Sequence, residues 1–200
     1  LTESAQLSRA ARSILEPMPG RAVDDALIEA LDQASGDVRA GLINALAVRR
    51  TAAAVRPLEK IARDSATAAG DAELAVRALG AIGSEPALRA LLKLKATESL
   101  EAARRDAVIL ACDLLIDSGK ASRLVTQALE KLRGSDLPEG VRAAAWRLSL
   151  QAKGDRAVRD LVSLLGSEER ELRLIGAQAL DLARTERDRE TLVEAAAGWP

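Results

Sequence analysis

Apolar residues recur along this chain at helical spacing, and the whole pattern repeats every 33 or 34 residues. An Ala-Leu pair at Ala45-Leu46 marks one copy, and the intervals between successive copies are 34, 33, 33, 34 and 34 residues. Repeats of this length indicate stacked structural units. The six copies are Ala11-Arg12 (degenerate), Ala45-Leu46, Ala78-Leu79, Ala111-Cys112, Ala145-Trp146 and Ala179-Leu180.

A second apolar run follows most of the Ala-Leu pairs after a short break. Val55, Leu58 and Ile61 form one such run, and the same three-residue spacing recurs over 88–94. Two helices in each repeat predict an α-solenoid. We therefore expect an all-α chain that forms a single domain over 1–200. This domain is a right-handed superhelix of about five to six helical hairpins.

Helix-breaking and helix-capping residues separate the predicted helices. Pro17, Pro19 and Gly20 close a first helix, Asp37 suits the positive end of a later one, and Pro57 falls in a first turn, where proline is tolerated. The pattern predicts roughly eleven helices. After the first, they cover 22–33, 37–50, 53–63, 72–82, 86–95, 100–116, 121–132, 141–151, 156–165, 168–183 and 187–197.

The composition supports a helical core of small aliphatic side chains. Apolar residues make up 48% of the chain, yet Phe and Tyr are absent and aromatic residues are only 1%. Ala and Leu head the helix-propensity ranking, and no segment shows the alternation of β-branched and aromatic residues typical of strands. The fold class predicted is all-α.

Charge and hydropathy restrict the partners. Basic and acidic residues number 29 and 30, whereas a nucleic-acid-binding protein usually carries a basic surplus. No apolar run approaches the length of a membrane span. We therefore expect a protein partner, or another domain of the same polypeptide, with no nucleic acid, no membrane span in this segment and no evident small-molecule substrate. The chain starts at Leu1 without Met, which suggests a segment of a longer protein.

Histidine is absent, and this removes most common catalytic and metal-binding arrangements. No Ser-His-Asp triad, Cys-His pair or imidazole base can form, and one cysteine cannot build a thiolate zinc site. No glycine-rich phosphate loop occurs. We expect a chain that is not an enzyme and has no cofactor and no metal.

Two residues at the Leu position of the repeat have alternative interpretations. Cys112 is expected to be a buried thiol that packs as a small hydrophobe. Trp146 is expected to pack in the core, the alternative being an aromatic platform on which a base or peptide side chain stacks. Trp146 with Arg142 and Arg147 is the only local feature that favours nucleic acid.

A set of polar residues forms the candidate binding surface. Three arginines stand six positions before an Ala-Leu pair, and each either reaches an acidic group of the neighbouring repeat or contributes to a basic stripe on the concave face. Asn44, Arg49 and Arg50 form a further polar cluster at the end of the helix that contains Ala45. They either take part in binding or are simply exposed at the end of that helix. The predicted binding residues are Arg39, Asn44, Arg49, Arg50, Arg105, Arg142 and Arg173.

These residues resemble a known repeat family. Asp37-Val38-Arg39, then Ala45-Leu46, then Ala53-Ala54-Val55 with Pro57-Leu58 is similar to a HEAT repeat of the phycobilisome-lyase-like subclass. The segment 76–83 and Leu172-Arg173 resemble the same repeat. The resemblance covers essentially the whole chain, is strongest in about three units, and implies an α-solenoid that serves as a binding scaffold.

A narrower resemblance concerns residues 15–60. The sequence Leu15-Glu16-Pro17-Met18-Pro19, followed by 41–50, is similar to HEAT domains embedded in large bacterial envelope or secreted proteins. This implies a non-catalytic accessory region that mediates protein or interdomain contacts. The alternatives are a structural spacer, a HEAT-like nucleic-acid-binding module, and a lyase or chaperone for a tetrapyrrole, for which no ligand-holding residue is evident.

Overall fold

The computed structural model of the chain describes residues 17–64, 67–134 and 136–199, without the side chain of residue 155. Helices dominate these ranges and no strand occurs in them. The all-α prediction is therefore confirmed. The eleven described α-helices are α1 (Arg21–Gln33), α2 (Gly36–Val48), α3 (Val55–Arg63), α4 (Ala69–Ile82), α5 (Glu85–Lys93), α6 (Glu98–Asp117), α7 (Arg123–Lys131), α8 (Glu139–Lys153), α9 (Val158–Leu165), α10 (Arg170–Gln178) and α11 (Glu186–Ala196).

Most helix boundaries fall within a few residues of the predicted ones, and two differ more. Helix α4 begins at Ala69, inside the predicted break before residue 72. Helix α10 ends at Gln178 instead of 183, because the chain tightens into a 3-10 turn over Leu180–Leu182. Such tightening is common where a helix ends. The predicted first helix and the Ala11-Arg12 copy lie outside the described residues.

The chain divides into two compact units, Leu1–Leu115 and Ile116–Pro200. In the first unit α2 packs on α4, and α3 packs on both α4 and α5. Helices α2 and α4, and likewise α3 and α5, are one repeat apart, so like-placed helices of consecutive hairpins lie side by side. The buried aliphatic residues of these helices include Leu46, Leu58, Leu79 and Leu88, each at most 1% exposed.

The second unit repeats this arrangement within itself. Helix α8 packs on α10, and α9 packs on both α10 and α11. Leu161 and Leu164 lie fully buried at the centre of its core, and Ile175 packs beside them. The partly buried rings of Trp146 and Trp199 cover the edge of this cluster.

Two glycines of α4 allow α6 to approach closely. A Cβ on Gly80 would lie 2.8 Å from Ala107 Cα and 2.9 Å from its carbonyl oxygen, which is too short for any side chain. Gly83 ends α4 with φ of +61°, and its Cβ would meet Leu114 at 2.7 Å. Only glycine combines this left-handed end of a helix with a neighbour so close.

Cys112 lies in α6 and is completely buried, which confirms the interpretation as a core residue. Burial raises the pKa of its thiol to about 12. The thiolate is the reactive species, so at pH 8 the folded protein should hold the thiol almost entirely protonated.

We expect Cys112 to resist modification by a thiol reagent at pH 8 and to react fully once the protein is unfolded. The time course with dithiobis-nitrobenzoate, measured with and without guanidinium, tests this. Introduced cysteine at exposed Ser163 provides a reactive control in the same fold. Equal rates for Cys112 and the control cysteine would contradict a buried thiol.

Candidate functional site

Three of the predicted binding arginines occupy the same place in their helices. Arg39, Arg142 and Arg173 are each the fourth residue of a first helix of a hairpin, α2, α8 or α10. Each donates to a backbone carbonyl just before its helix, those of Ala34 (2.7 Å), Leu137 (3.0 Å) and Glu168 (2.8 Å) respectively. The guanidinium therefore ties each helix to the connection that precedes it.

Two of these arginines also bridge to the next repeat. Arg39 lies 3.5 Å from the carboxylate of Asp71 in α4. Arg142 pairs with Glu169, the residue that precedes α10. For Arg39 this bridge matches the interrepeat ion pair that was one of the two roles predicted for Arg39, Arg105 and Arg173. Arg142, for which no such bridge was predicted, makes a similar one, and Arg173 makes no ion pair within the described ranges.

Arg105 differs from this group. It lies in the middle of α6, and its nearest carboxylate is Glu101 of its own helix, at 3.9 Å. Arg104 holds the same carboxylate more tightly, at 2.6 Å. This hydrogen bond from Arg104 is the main cause that lowers the pKa of Glu101.

The cluster at the end of α2 separates into one anchored and two exposed side chains. Arg49 donates to Asp24 Oδ1 of α1 at 2.8 Å and to the carbonyl of Met18. Thr51 shares that carboxylate oxygen at 3.0 Å. Asn44 and Arg50 are exposed to solvent. A role of the seven arginine and asparagine residues in binding stays a prediction.

Trp146 packs against the core and is covered by a partly buried cation, Arg133. The Arg133 guanidinium stands 3.9 Å from the ring centre, within the range of a cation–π contact. Burial lowers the pKa of Arg133, and the Asp160 carboxylate 3.6 Å away opposes that shift. Lys153 also pairs with Asp160, at 2.8 Å. The indole therefore fills a structural position, and the face beneath Arg133 is closed to a stacked base.

Two acidic side chains, at the start of α8 and of α10, interact with each other. A hydrogen bond with Glu171, reinforced by repulsion between the two carboxyl groups, raises the pKa of Glu139. A carboxyl group whose pKa is raised on folding stabilises the folded state below its unfolded pKa. That contribution is lost as the pH rises from about 4.5 through the folded pKa.

Replacing Glu139 by Gln should raise the melting temperature at pH 7 and change it less at pH 4. The amide keeps the hydrogen bond to Glu171 and removes the repulsion. Melting curves at the two pH values test this, with the exposed Glu194→Gln as matched control. An equal gain at both pH values would show that repulsion between Glu139 and Glu171 is not the cause.

Candidate binding features also include a cleft between α3 and α5, the second helices of two consecutive hairpins. Its volume is about 260 Å³, and Val55, Pro86 and Ala90 supply its apolar lining. Arg56, Arg89 and Lys93 stand at its rim, together with Glu59 and Glu85. The cleft is therefore a small apolar depression with a charged border.

Sequence inspection missed this basic rim although a signal for it was present. Arg56 and Arg89 are 33 residues apart, and Lys60 and Lys93 are separated by the same interval. Both pairs thus follow the repeat period. None of these four residues is in the predicted binding set, of which Arg39, Arg142 and Arg173 instead tie their helices to the preceding connections.

A second cleft, of about 330 Å³, lies between α8 and α10 in the other unit. Leu150, Ile175 and Leu182 line it, and Arg147 and Asp181 stand at its rim with opposite charges. No group of three or more Cys, Asp or Glu side chains in the described ranges is arranged to hold a metal ion.

Comparison with known proteins adds no assignment. No family model matches the chain, and no curated protein sequence matches it either. None of the described helices is both long enough and apolar enough to cross a membrane.

Proposed function

We infer that this chain is a non-catalytic HEAT-like scaffold that binds a protein partner or another domain of its own polypeptide. The observation that carries this proposal is the pairwise packing of like-placed helices in each unit: α2 on α4 and α3 on α5, then α8 on α10 and α9 on α11. Helices one repeat apart that pack side by side are what a stacked helical repeat requires.

The arginine bridges support the same architecture. Arg39 to Asp71 and Arg142 to Glu169 each link the fourth residue of a first helix to a carboxylate at, or just before, the start of the next first helix. Partly buried pairs at a repeated site fix the register of one hairpin on the next. A solenoid of about five to six hairpins is the arrangement that this repetition favours.

The second helices are the proposed binding side, the concave face of such a solenoid. Helices α3 and α5 bury Leu58, Leu88 and Leu91 and keep their charged residues in solvent. The cleft between these two helices has an apolar floor that a partner side chain could occupy. On the first helices, by contrast, Arg39, Arg142 and Arg173 make hydrogen bonds within the chain.

A photo-cross-linking experiment tests the proposal. Benzoylphenylalanine is placed at Lys60, on a second helix, or at Arg77, on a first helix; both side chains are exposed. The full-length polypeptide is irradiated in its source cells. We expect protein adducts, or cross-links to another domain of the polypeptide, from position 60 and few from position 77.

Two results would overturn the proposal. Absence of cross-links at both positions would indicate a structural spacer that binds nothing. Equal adducts at both positions would show that the second helices are not the binding side. Circular dichroism of each variant establishes that the helices are intact.

A further inference from the structure

The exposed face of α3 and α5 carries four basic side chains in equivalent positions. Arg56 and Lys60 are one turn apart on α3, and Arg89 and Lys93 are one turn apart on α5. All four are exposed. Because α3 packs beside α5 and the two pairs are related by the repeat period, the four charges form a compact group, here called the basic quartet.

The four cations of the basic quartet are not held in close ion pairs. None of its four side chains makes an ion pair with any residue in the described ranges. Nearby arginines behave differently, since Arg63 pairs with Glu59 at 2.9 Å and Arg77 pairs with Glu73 at 2.8 Å. The positive charge of this face is therefore available to a partner.

Two features of the quartet are unfavourable to the helices that carry it, although Lys60 and Lys93 lie in last turns, where positive charge suits the helix dipole. Arg56 to Lys60 and Arg89 to Lys93 are like charges at i and i+4, an arrangement that destabilises a helix. Arg56 is the second residue of α3, where positive charge opposes the helix dipole and no acidic residue occupies the first turn. A bound anionic group would relieve both effects.

The cleft beside the quartet restricts the kind of anion. Its apolar lining of Val55, Pro86 and Ala90 encloses about 260 Å³, room for small side chains. It contains no aromatic residue on which a nucleic-acid base could stack. Glu59 and Glu85 on the same rim would repel a continuous phosphate backbone, whereas a peptide can place its carboxylates on the four cations only.

We propose that the basic quartet and its cleft bind an extended acidic segment of a protein, in which carboxylate side chains alternate with small apolar ones. The carboxylates pair with Arg56, Lys60, Arg89 and Lys93, and the small side chains enter the cleft between α3 and α5. This inference rests on the proposed scaffold function and specifies the chemistry of its partner.

Fluorescence anisotropy with a labelled peptide of about twelve residues, alternating glutamate and alanine, tests this pairing. We expect saturable binding to the whole chain at about 0.02 M salt that weakens steeply at about 0.3 M. Arg56→Glu with Arg89→Glu should weaken binding about tenfold or more. The milder Lys60→Ala with Lys93→Ala should weaken it to a smaller extent without disturbing the fold.

The matched control is Arg77→Glu with Arg170→Glu, which changes the net charge equally at exposed positions on first helices. It should bind the peptide like the unmodified chain. Equal loss in the control, or binding of a glutamine-alanine peptide of the same length, would overturn the inference. So would tighter binding of a single-stranded oligonucleotide that the same reversals abolish.

The result also separates this inference from the scaffold function. Protein adducts from position 60 without binding of the glutamate-alanine peptide would reject the acidic partner and leave the scaffold standing. If neither the adducts nor the peptide binding is observed, both the scaffold function and the acidic partner are rejected.

Discussion

Replacing Gly80 by valine is expected to lower the free energy of unfolding by about 3 kcal/mol. Gly80 lies where α4 meets α6, and a Cβ there would sit 2.8 Å from the Cα of Ala107. The obstacle is backbone, which cannot rotate away as a side chain can. Relief requires the two helices to separate, and that exposes the buried residues around Val76 and Leu79.

Gly70 of the same helix provides the control. A Cβ at Gly70 meets nothing within 4 Å, so Gly70→Ala should leave stability unchanged or raise it by up to about 1 kcal/mol. Denaturant unfolding followed by circular dichroism, with hydrogen exchange of the segment 69–93, measures both variants. If Gly80→Val were as stable as Gly70→Ala, the close approach of α4 and α6 would be wrong.

Replacing Leu161 by alanine should cost about 3 to 5 kcal/mol, the second large effect that we expect. Leu161 is fully buried at the centre of the second unit, where it packs among residues of α9, α10 and α11. Truncation removes apolar contacts and leaves a cavity that the surrounding helices fill only in part.

Leu174 of α10 is the matched control, because its side chain is 55% exposed. Leu174→Ala should change stability by less than about 0.5 kcal/mol. Both tryptophans of the chain, Trp146 and Trp199, pack against the core that contains Leu161, so their fluorescence follows the unfolding of this unit. Similar unfolding midpoints for the two variants would contradict the assigned core.

The helices could be predicted from the sequence because their determinants are local. The Ala-Leu copies, the apolar residues between them and breakers such as Pro19 and Gly20 predicted the helix boundaries to within a few residues in most cases. The end of α10 could not be placed this way. The residues 168–183 have continuous helical character, yet the α-helix ends at Gln178 and a 3-10 turn follows over Leu180–Leu182.

The roles of the arginines could be assigned only from the three-dimensional structure. Sequence spacing put Arg39 and Arg105 at equivalent repeat positions, yet the first bridges to α4 and the second pairs within α6. Whether a guanidinium meets the next repeat depends on where the acidic residues fall. Asp71 stands at the start of the neighbouring helix in one case, and Glu101 lies one turn earlier in the same helix in the other.

The basic quartet is a second case in which the sequence does not reveal the ion pairs. The 33-residue spacing of Arg56 and Arg89 is visible in the sequence, and so are the acidic residues near each of them. The sequence does not show which acidic residue pairs with which cation. Glu59 forms its ion pair with Arg63, so Arg56 and Lys60 have no ion pair among the described residues.

The central claim is that consecutive hairpins stack in register, so that residues 33 apart meet on one face. It is tested most directly by spin labels at Lys60→Cys and Lys93→Cys in a chain whose Cys112 is replaced by alanine. Helices that pack side by side have axes about 8 to 10 Å apart, so we predict one narrow distance distribution near about 15 to 25 Å. A broad distribution, or one centred beyond about 30 Å, would contradict the stacked repeat and both proposals that depend on it.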